Sequence, residues 1–81
     1  MRLLNDEDIL KNRVDTISQY KILQYLKNNM NITEFDVYLL DRDTIKVTDI
    51  NNDVLYFMYD SELKEITYNE YFIKNNNDLC L

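Results

Sequence analysis

The sequence predicts an α+β fold in which an N-terminal helix packs on an antiparallel β-meander of three or four strands. Three observations support this: helix-type spacing of apolar residues before residue 30, strand-type alternation after residue 34, and polar turn segments between the strands. At 81 residues the chain suffices for one small domain. We therefore expect a single domain over residues 1–81, with a polar tail that frays from about residue 75.

The N-terminal helix is predicted over residues 6–29. Asn5 is a favourable N-cap, and the three acidic residues after it lie where the helix dipole favours negative charge. At about 100° per residue, one face of the helix carries five apolar or aromatic side chains: Leu10, Val14, Ile17, Tyr20 and Tyr25. Three aliphatic side chains spread around the other side: Ile22, Leu23 and Leu26.

The C-terminal half of this helix is apolar on nearly all sides, and two interpretations stay open. Either the helix is continuous and covered on both sides, or two helices meet near Asp15 and Thr16. In the second case Thr16 and Gln19 resemble a capping box. Residues 28–31 are predicted to end the helix, with Asn in the left-handed position that Gly usually takes.

Three strands are predicted over residues 35–40, 44–50 and 54–59, joined by turns at 41–43 and 50–53. In the second strand Ile45 and Val47 alternate with polar residues, which predicts one solvated face. The third strand is apolar on both faces, as in a central strand or one that a partner covers. Residues 65–68 are a candidate fourth strand, and residues 69–74 fit either a strand or a short helix. One helix covers one face, so aromatic and Met side chains of the other face stay partly exposed unless a partner or a second copy covers them.

The composition excludes most catalytic and metal chemistry. With no His, no Gly and a single Cys, Cys80, the chain offers no imidazole base, no zinc-binding set, no glycine-rich phosphate loop and no disulfide. We therefore expect no enzyme activity and no cofactor. No apolar stretch approaches the roughly 18 residues that a membrane span needs, and the N-terminus lacks a signal-peptide core, so we expect a cytosolic protein with no membrane contact.

Negative charge is concentrated in the predicted sheet. The net charge is −6, but residues 1–30 carry five basic and four acidic side chains, which leaves −7 for the rest. Most of these acidic residues lie in or beside predicted turns, which gather at the ends of a sheet. Such a surface would repel nucleic acid and attract the basic grooves that bind nucleic acid. The alternative is that Asp favours turns and keeps the domain soluble.

Two acidic motifs do not make metal or catalytic sites. The segment from Asp49 to Asp60 places oxygens as a calcium loop does, but Val54 stands where that loop needs Gly and Asp60 where a bidentate Glu is usual. Asp41 and Asp43 have nothing else in the chain to complete an acid–base or magnesium site. We expect no bound metal.

The pattern of residues 6–73 resembles that of phage-encoded inhibitors of bacterial defence, in particular anti-CRISPR proteins and other DNA mimics. The shared features are small size, strong acidity, absence of catalytic residues and a helix followed by a meander. The resemblance implies a protein of the host-cell cytosol that binds a nuclease complex stoichiometrically, often over the groove meant for nucleic acid.

We therefore hypothesise that an acidic end of the sheet occupies a basic groove on a nucleic-acid-handling protein, such as a CRISPR effector nuclease, without binding nucleic acid itself. The predicted contact residues are six carboxylates and two aromatic anchors: Asp41, Asp43, Asp49, Asp53, Asp60, Glu62, Tyr56 and Tyr59. The alternative is a structural or adaptor module that forms a homodimer through its uncovered face or third strand. In that case Leu55, Phe57 and Tyr59 would be buried against the second copy.

Overall fold

Two α-helices, a 3₁₀ helix and five strands make up residues 1–70, the part of the chain that the computed structural model describes. The strands are β1 (Arg2–Leu4), β2 (Asp36–Asp41), β3 (Thr44–Thr48), β4 (Val54–Asp60) and β5 (Glu65–Asn69). The helices are α1 (Asp6–Leu10), α2 (Ile17–Asn29) and the 3₁₀ helix (Ile32–Glu34). The predicted α+β class is confirmed, with five strands instead of three or four.

The N-terminal helical segment is two helices, each opened by its own capping box. Asn5 Oδ1 accepts from the Asp8 N–H at 2.7 Å, and Asp8 Oδ2 accepts from the Asn5 N–H at 3.1 Å. Thr16 and Gln19 repeat this arrangement at the start of α2, with bonds of 3.0 and 3.1 Å. Both boxes satisfy N–H groups that a helix start leaves without partners. The interpretation of two helices meeting near Thr16 is confirmed, and the continuous helix is wrong.

One face of α2 supplies the helical side of the core. Ile22, Leu23 and Leu26 are 0% exposed, and they pack with buried side chains of α1, the 3₁₀ helix and the sheet. These partners are Leu4, Ile9, Ile32, Val37, Leu39, Ile45, Val47 and Phe57. Full burial of an aliphatic or Phe side chain stabilises the fold by about 1.5–3 kcal/mol, so this layer is the main source of stability.

The other predicted helical face is not buried. Leu10, Ile17 and Tyr20 are exposed, whereas Val14 is partly buried against the core. A stripe drawn through residues 10–25 assumes one continuous helix, and residues 11–16 do not continue the helix. The phase of α1 therefore does not carry over into α2.

The sheet is an antiparallel meander in the order β1-β2-β3-β4-β5. β4 lies between β3 and β5, which explains why its sequence is apolar on both faces. β1 was not predicted. It adds to the outer side of β2, where Leu4 pairs with Val37 and is 4% exposed. A three-residue strand is too short for an alternating pattern to reveal it.

The sheet face opposite α2 carries a cross-strand row in which Tyr38, Lys46 and Tyr56 are direct neighbours. Lys46 Nζ lies 5.2 Å from the centroid of the Tyr38 ring, a cation–π contact. All three residues are half-buried. Thr44, expected on a solvated face, is 3% exposed and pairs with Met58, so the predicted wet face holds only in part.

Residues with positive φ occupy the positions that Gly would normally take. They are Asn12 (57°), Asn52 (68°) and Lys64 (57°) within residues 1–70. Two of the three are Asn, the residue type expected in this role in a chain without Gly. The place is different from the predicted one, because α2 ends at Asn29 and its C-cap, Met30, is extended with φ −155°.

The end of the sheet matches the candidate fourth strand: residues 65–68 were predicted, and β5 spans Glu65–Asn69. The open choice between strand and helix for residues 69–74 is resolved only for its first residue, which ends β5. Glu70 follows as a bend, and residues 71–74, the predicted frayed tail from residue 75 and Cys80 lie outside the described residues.

Candidate functional site at the acidic ends of the sheet

A meander places successive turns at alternate ends of its sheet, and this divides the predicted carboxylates into two groups. The β2–β3 and β4–β5 turns share one end, here called the upper end, where the Tyr59 N–H donates to the Asp43 carbonyl at 3.0 Å. Four predicted carboxylates lie at the upper end: Asp41, Asp43, Asp60 and Glu62. The β3–β4 turn forms the opposite, lower end, and carries Asp49 and Asp53.

The two ends act as separate charged surfaces. Strands of five to seven residues set them roughly 15–20 Å apart, at about 3.3 Å per residue. The Debye length is about 8–10 Å at 0.1–0.15 M salt, so each end is largely screened from the other. The six carboxylates therefore do not form the single cluster that the hypothesis requires.

Three of the six carboxylates have a structural role, because each begins a turn and accepts backbone N–H groups within that turn. Oδ1 is the acceptor in every case, and the bonds are 2.8–3.1 Å long. The donors are Asp43 for Asp41, Asn51 and Asp53 for Asp49, and Glu62 and Leu63 for Asp60. The interpretation of Asp as a turn-forming residue therefore applies to half of the predicted set.

The other three carboxylates, Asp43, Asp53 and Glu62, are exposed. Within residues 1–70 their side chains make no hydrogen bond and no ion pair. Their position is set by the turns that hold their backbone, so their charge faces solvent without a compensating contact. These three are the members of the predicted set best placed to meet a partner.

Ion pairing is confined to the N-terminal region of the described chain. Arg2 pairs with Asp15 at 3.2 Å, and Lys11 pairs with Glu7 at 3.1 Å. Arg13 contacts Glu7 at 3.8 Å and also Asp8 at 3.6 Å. The three pairs in which both side chains are exposed, Arg2–Asp15, Lys11–Glu7 and Arg13–Glu7, contribute only about 0–1 kcal/mol each to stability. Their importance here is that they use basic side chains of β1 and of residues 11–13, and none from β2–β5 or the turns between those strands.

The basic residues of β2–β5 and their turns do not neutralise the carboxylates of the same segments. Arg42, Lys46 and Lys64 have no carboxylate within 4.0 Å among residues 1–70. Residues 31–70 carry ten acidic side chains against these three, a net of −7. That charge is consequently exposed on the sheet instead of being absorbed by internal pairing.

The lower end is the more negative of the two. Besides its turn, it contains the start of β2 and the end of β5, because β2 runs upward and β5 runs downward in the meander. These strand ends and this turn carry the acidic residues Glu34, Asp36, Asp49, Asp53 and Glu70, and segments 31–36, 49–55 and 69–70 contain no Lys or Arg. The upper segments, 41–44 and 60–65, hold five acidic residues but also Arg42 and Lys64. Over these segments alone, the net charge is −5 at the lower end and −3 at the upper end.

Three lower-end residues, Glu34, Asp36 and Glu70, were missing from the predicted site. Glu34 and Asp36 could have been included from the sequence alone. In any meander the start of the first strand, here β2, lies at the same end of the sheet as the second turn, here the β3–β4 turn. Glu70 required the pairing of Tyr56 with Asn69, which fixes where β5 ends.

The two predicted aromatic anchors lie on opposite faces of β4. Tyr59 points to the α2 side, where it packs partly buried against the core and Lys21 Nζ lies 5.7 Å from its ring centroid. Tyr56 lies three residues earlier and faces away from α2, opposite Lys46. The two rings therefore cannot anchor one contact surface.

Residues 1–70 contain no group of three or more His, Cys, Asp or Glu side chains arranged to hold a metal ion. None of the helices described is long and apolar enough to cross a membrane. No protein-family model, curated protein or solved structure matches the chain. The basis for inferring its function is therefore its charge distribution and its geometry.

Proposed function

We propose that this protein is a non-enzymatic inhibitor that binds a basic nucleic-acid groove of a nucleic-acid-handling protein through the acidic ends of its sheet. The observation that carries the proposal is that the exposed carboxylates at both ends have no ion-pair partner within residues 1–70. Turn hydrogen bonds hold the backbone beneath them. A fixed negative field of this kind accelerates association with a positive groove and repels nucleic acid.

The lower end is the main contact in this proposal. Its five acidic residues come from segments without Lys or Arg, whereas Arg42 and Lys64 offset part of the upper charge. Asp36 and Asp53 are exposed, and neither side chain makes a hydrogen bond or ion pair within residues 1–70. Both carboxylates can therefore meet Lys or Arg of a partner without first breaking an internal contact.

The resemblance in size, acidity and element order to anti-CRISPR proteins indicates which partner to test first. In this proposal the target is a CRISPR effector nuclease in the cytosol of an infected bacterium, and inhibition is stoichiometric. The inhibitor would occupy the channel that normally holds nucleic acid, whose Lys and Arg side chains bind phosphates.

The test is cleavage of target DNA by purified, guide-loaded CRISPR effector nucleases. We expect inhibition when the protein is added before DNA, and little inhibition when the nuclease has already bound DNA. Two double variants identify the contact end: Asp36→Lys with Asp53→Lys below, and Asp43→Lys with Glu62→Lys above. Each changes the charge equally and replaces exposed carboxylates that make no side-chain hydrogen bond within residues 1–70. We expect the lower pair to slow association more.

Reversal of Asp41 is a poor test, because Asp41 Oδ1 accepts the Asp43 N–H and its loss perturbs the turn. The decisive series measures inhibition from about 0.05 to 0.5 M NaCl. Equal inhibition by the wild type and both double variants throughout would refute an electrostatic contact. Absence of inhibition of every nuclease tested would refute the proposed target class.

Self-association through the sheet face opposite α2 is a second candidate. It is favoured by Tyr38, Tyr56 and Met58, which lie half-buried on that face while both α-helices contribute to the core on the other side. The residues that the sequence predicted for this role do not fit it, because Phe57 is 3% exposed in the chain's own core and Leu55 and Tyr59 pack partly buried against the same core. Light scattering separates the candidates: a monomer at all concentrations supports the inhibitor, and a tight dimer supports self-association.

A further inference from the structure

An aromatic groove lies beside α2 on the helix-facing side of β5. α2 packs on β3 and β4, so Tyr68 of β5 is 61% exposed although it pairs with the buried Phe57. The rings of Tyr25, Phe57 and Tyr68 form a row, with centroid distances of 6.3 Å for the first pair and 5.6 Å for the second. The row leads from the helix to the sheet edge and ends at an accessible ring.

The groove next to this ring has a volume of about 290 Å³ and is lined by Leu55, Tyr68, Asn69 and Glu70. The pairing of Tyr56 with Asn69 places Glu70 opposite Leu55, so the carboxylate and the aliphatic side chain share the helix-facing side. Leu55 is half-buried and Glu70 is exposed. The groove thus combines an apolar floor, an aromatic wall and a negatively charged rim.

We propose that this groove receives an Arg or Lys side chain of the partner protein, an inference that rests on the proposed function and adds its anchor. Tyr68 offers a ring face to the cation, Leu55 contacts the aliphatic stem and Glu70 supplies the counter-charge. Charge complementarity therefore selects a cation.

Other occupants fit less well. The volume of about 290 Å³ is at the lower limit of small-molecule sites, which span about 300–1,000 Å³. Anionic ligands are disfavoured by Glu70 and by the rest of the lower end, whose net charge is −5. A purely apolar side chain would fill the floor but leave the carboxylate without a partner.

The test is a titration of the isotope-labelled full chain with N-acetyl-arginine amide, followed by NMR. N-acetyl-norleucine amide is the matched control, since it keeps an unbranched aliphatic stem and lacks the charge. We expect saturable shifts at the backbone amides of Leu55, Tyr68 and Glu70 with the arginine probe, and smaller ones with norleucine. Tyr68→Leu and Glu70→Gln should each weaken arginine binding about two- to fivefold. Asp43→Asn, at the upper end, should leave it unchanged.

Norleucine binding as tight as arginine binding would overturn the inference, and so would arginine shifts that are absent from the groove or unchanged by both groove variants. Tyr68 is 61% exposed and Glu70 is exposed, so both variants are expected to fold, which their amide spectra verify directly. Because the probe is a blocked amino acid, the NMR titration does not depend on the nuclease. Absence of arginine binding would therefore overturn the groove inference alone, and absence of nuclease inhibition would overturn the proposed function alone.

Discussion

Gln19 joins the start of α2 to the end of β2, and replacing it tests how the upper end is held. Its side chain is 3% exposed and Nε2 donates to the Asp41 carbonyl at 2.6 Å. Oε1 accepts the N–H groups of Asp15 and Thr16 at 2.9 and 3.1 Å. Gln19→Leu keeps a similar volume and removes all three bonds.

The cost follows from the three backbone groups left without a partner. Each unsatisfied buried group costs about 1–3 kcal/mol, and the low end applies because Asp15 and Asp41 are exposed to water. We expect Gln19→Leu to lower the free energy of unfolding by about 2–4 kcal/mol. For a domain of this size, 1 kcal/mol corresponds to about 4–8 °C in melting temperature, so Tm should fall by roughly 10–25 °C.

Ser18→Ala, at the preceding position of α2, is the matched control, because the Ser18 side chain makes no hydrogen bond within residues 1–70. We expect it to cost less than about 0.5 kcal/mol. Urea unfolding followed by circular dichroism measures both variants, with an unchanged slope expected for each. A cost below about 0.5 kcal/mol for Gln19→Leu would refute the role assigned to this side chain.

Three further predictions concern the turns, α1 and the charge. Asp49→Ala should cost about 1–2 kcal/mol in urea unfolding and Asp53→Ala less than about 0.5, since only Asp49 Oδ1 accepts turn N–H groups; equal costs would contradict this. Lys27→Met should speed hydrogen exchange in α1, because Lys27 Nζ donates to Ile9 O and Asn12 Oδ1 at 3.0 Å each; unchanged exchange counts against it. Raising NaCl from about 0.02 to 0.3 M should raise Tm by screening repulsion among the carboxylates, and a flat response would mean that their repulsion is negligible.

Local signals predicted the fold well where they were strong. The caps at Asn5 and Thr16 depend on residues within one helical turn, so the sequence placed the start of α1 and gave Thr16 as one of two open interpretations for the start of α2. β1 forms only by pairing with β2, which lies more than 30 residues away in the sequence, as when Arg2 pairs with Leu39. A three-residue segment is too short for its own pattern to reveal such a pairing. The alternation of apolar and polar residues likewise predicted that β3 is a strand, and the apolar residues on both faces of β4 predicted a strand inside the sheet.

The sequence predicted which turns are acidic, but it did not predict how the fold distributes them between the two ends of the sheet. The acidic turns are real, yet a meander separates Asp43 from Asp53 by the length of a strand. Tyr56 and Tyr59 differ by an odd number of positions, so strand alternation alone would have placed them on opposite faces. Tyr68 and Glu70 could not be found from the sequence, because the groove depends on which strands α2 covers and on the register of β4 with β5.

The most direct test of the proposed role of charge is the association rate with the inhibited nuclease as a function of ionic strength. The informative variant changes all five lower-end carboxylates to amides: Asp36, Asp49 and Asp53 to Asn, and Glu34 and Glu70 to Gln. Asn keeps an Oδ1 acceptor, so the turn cap at position 49 can persist. We expect the variant to fold, to associate at least about tenfold more slowly at low salt and to lose most of the salt dependence. Equal rates and equal salt dependence for variant and wild type would contradict the proposal that sheet-end charge drives binding.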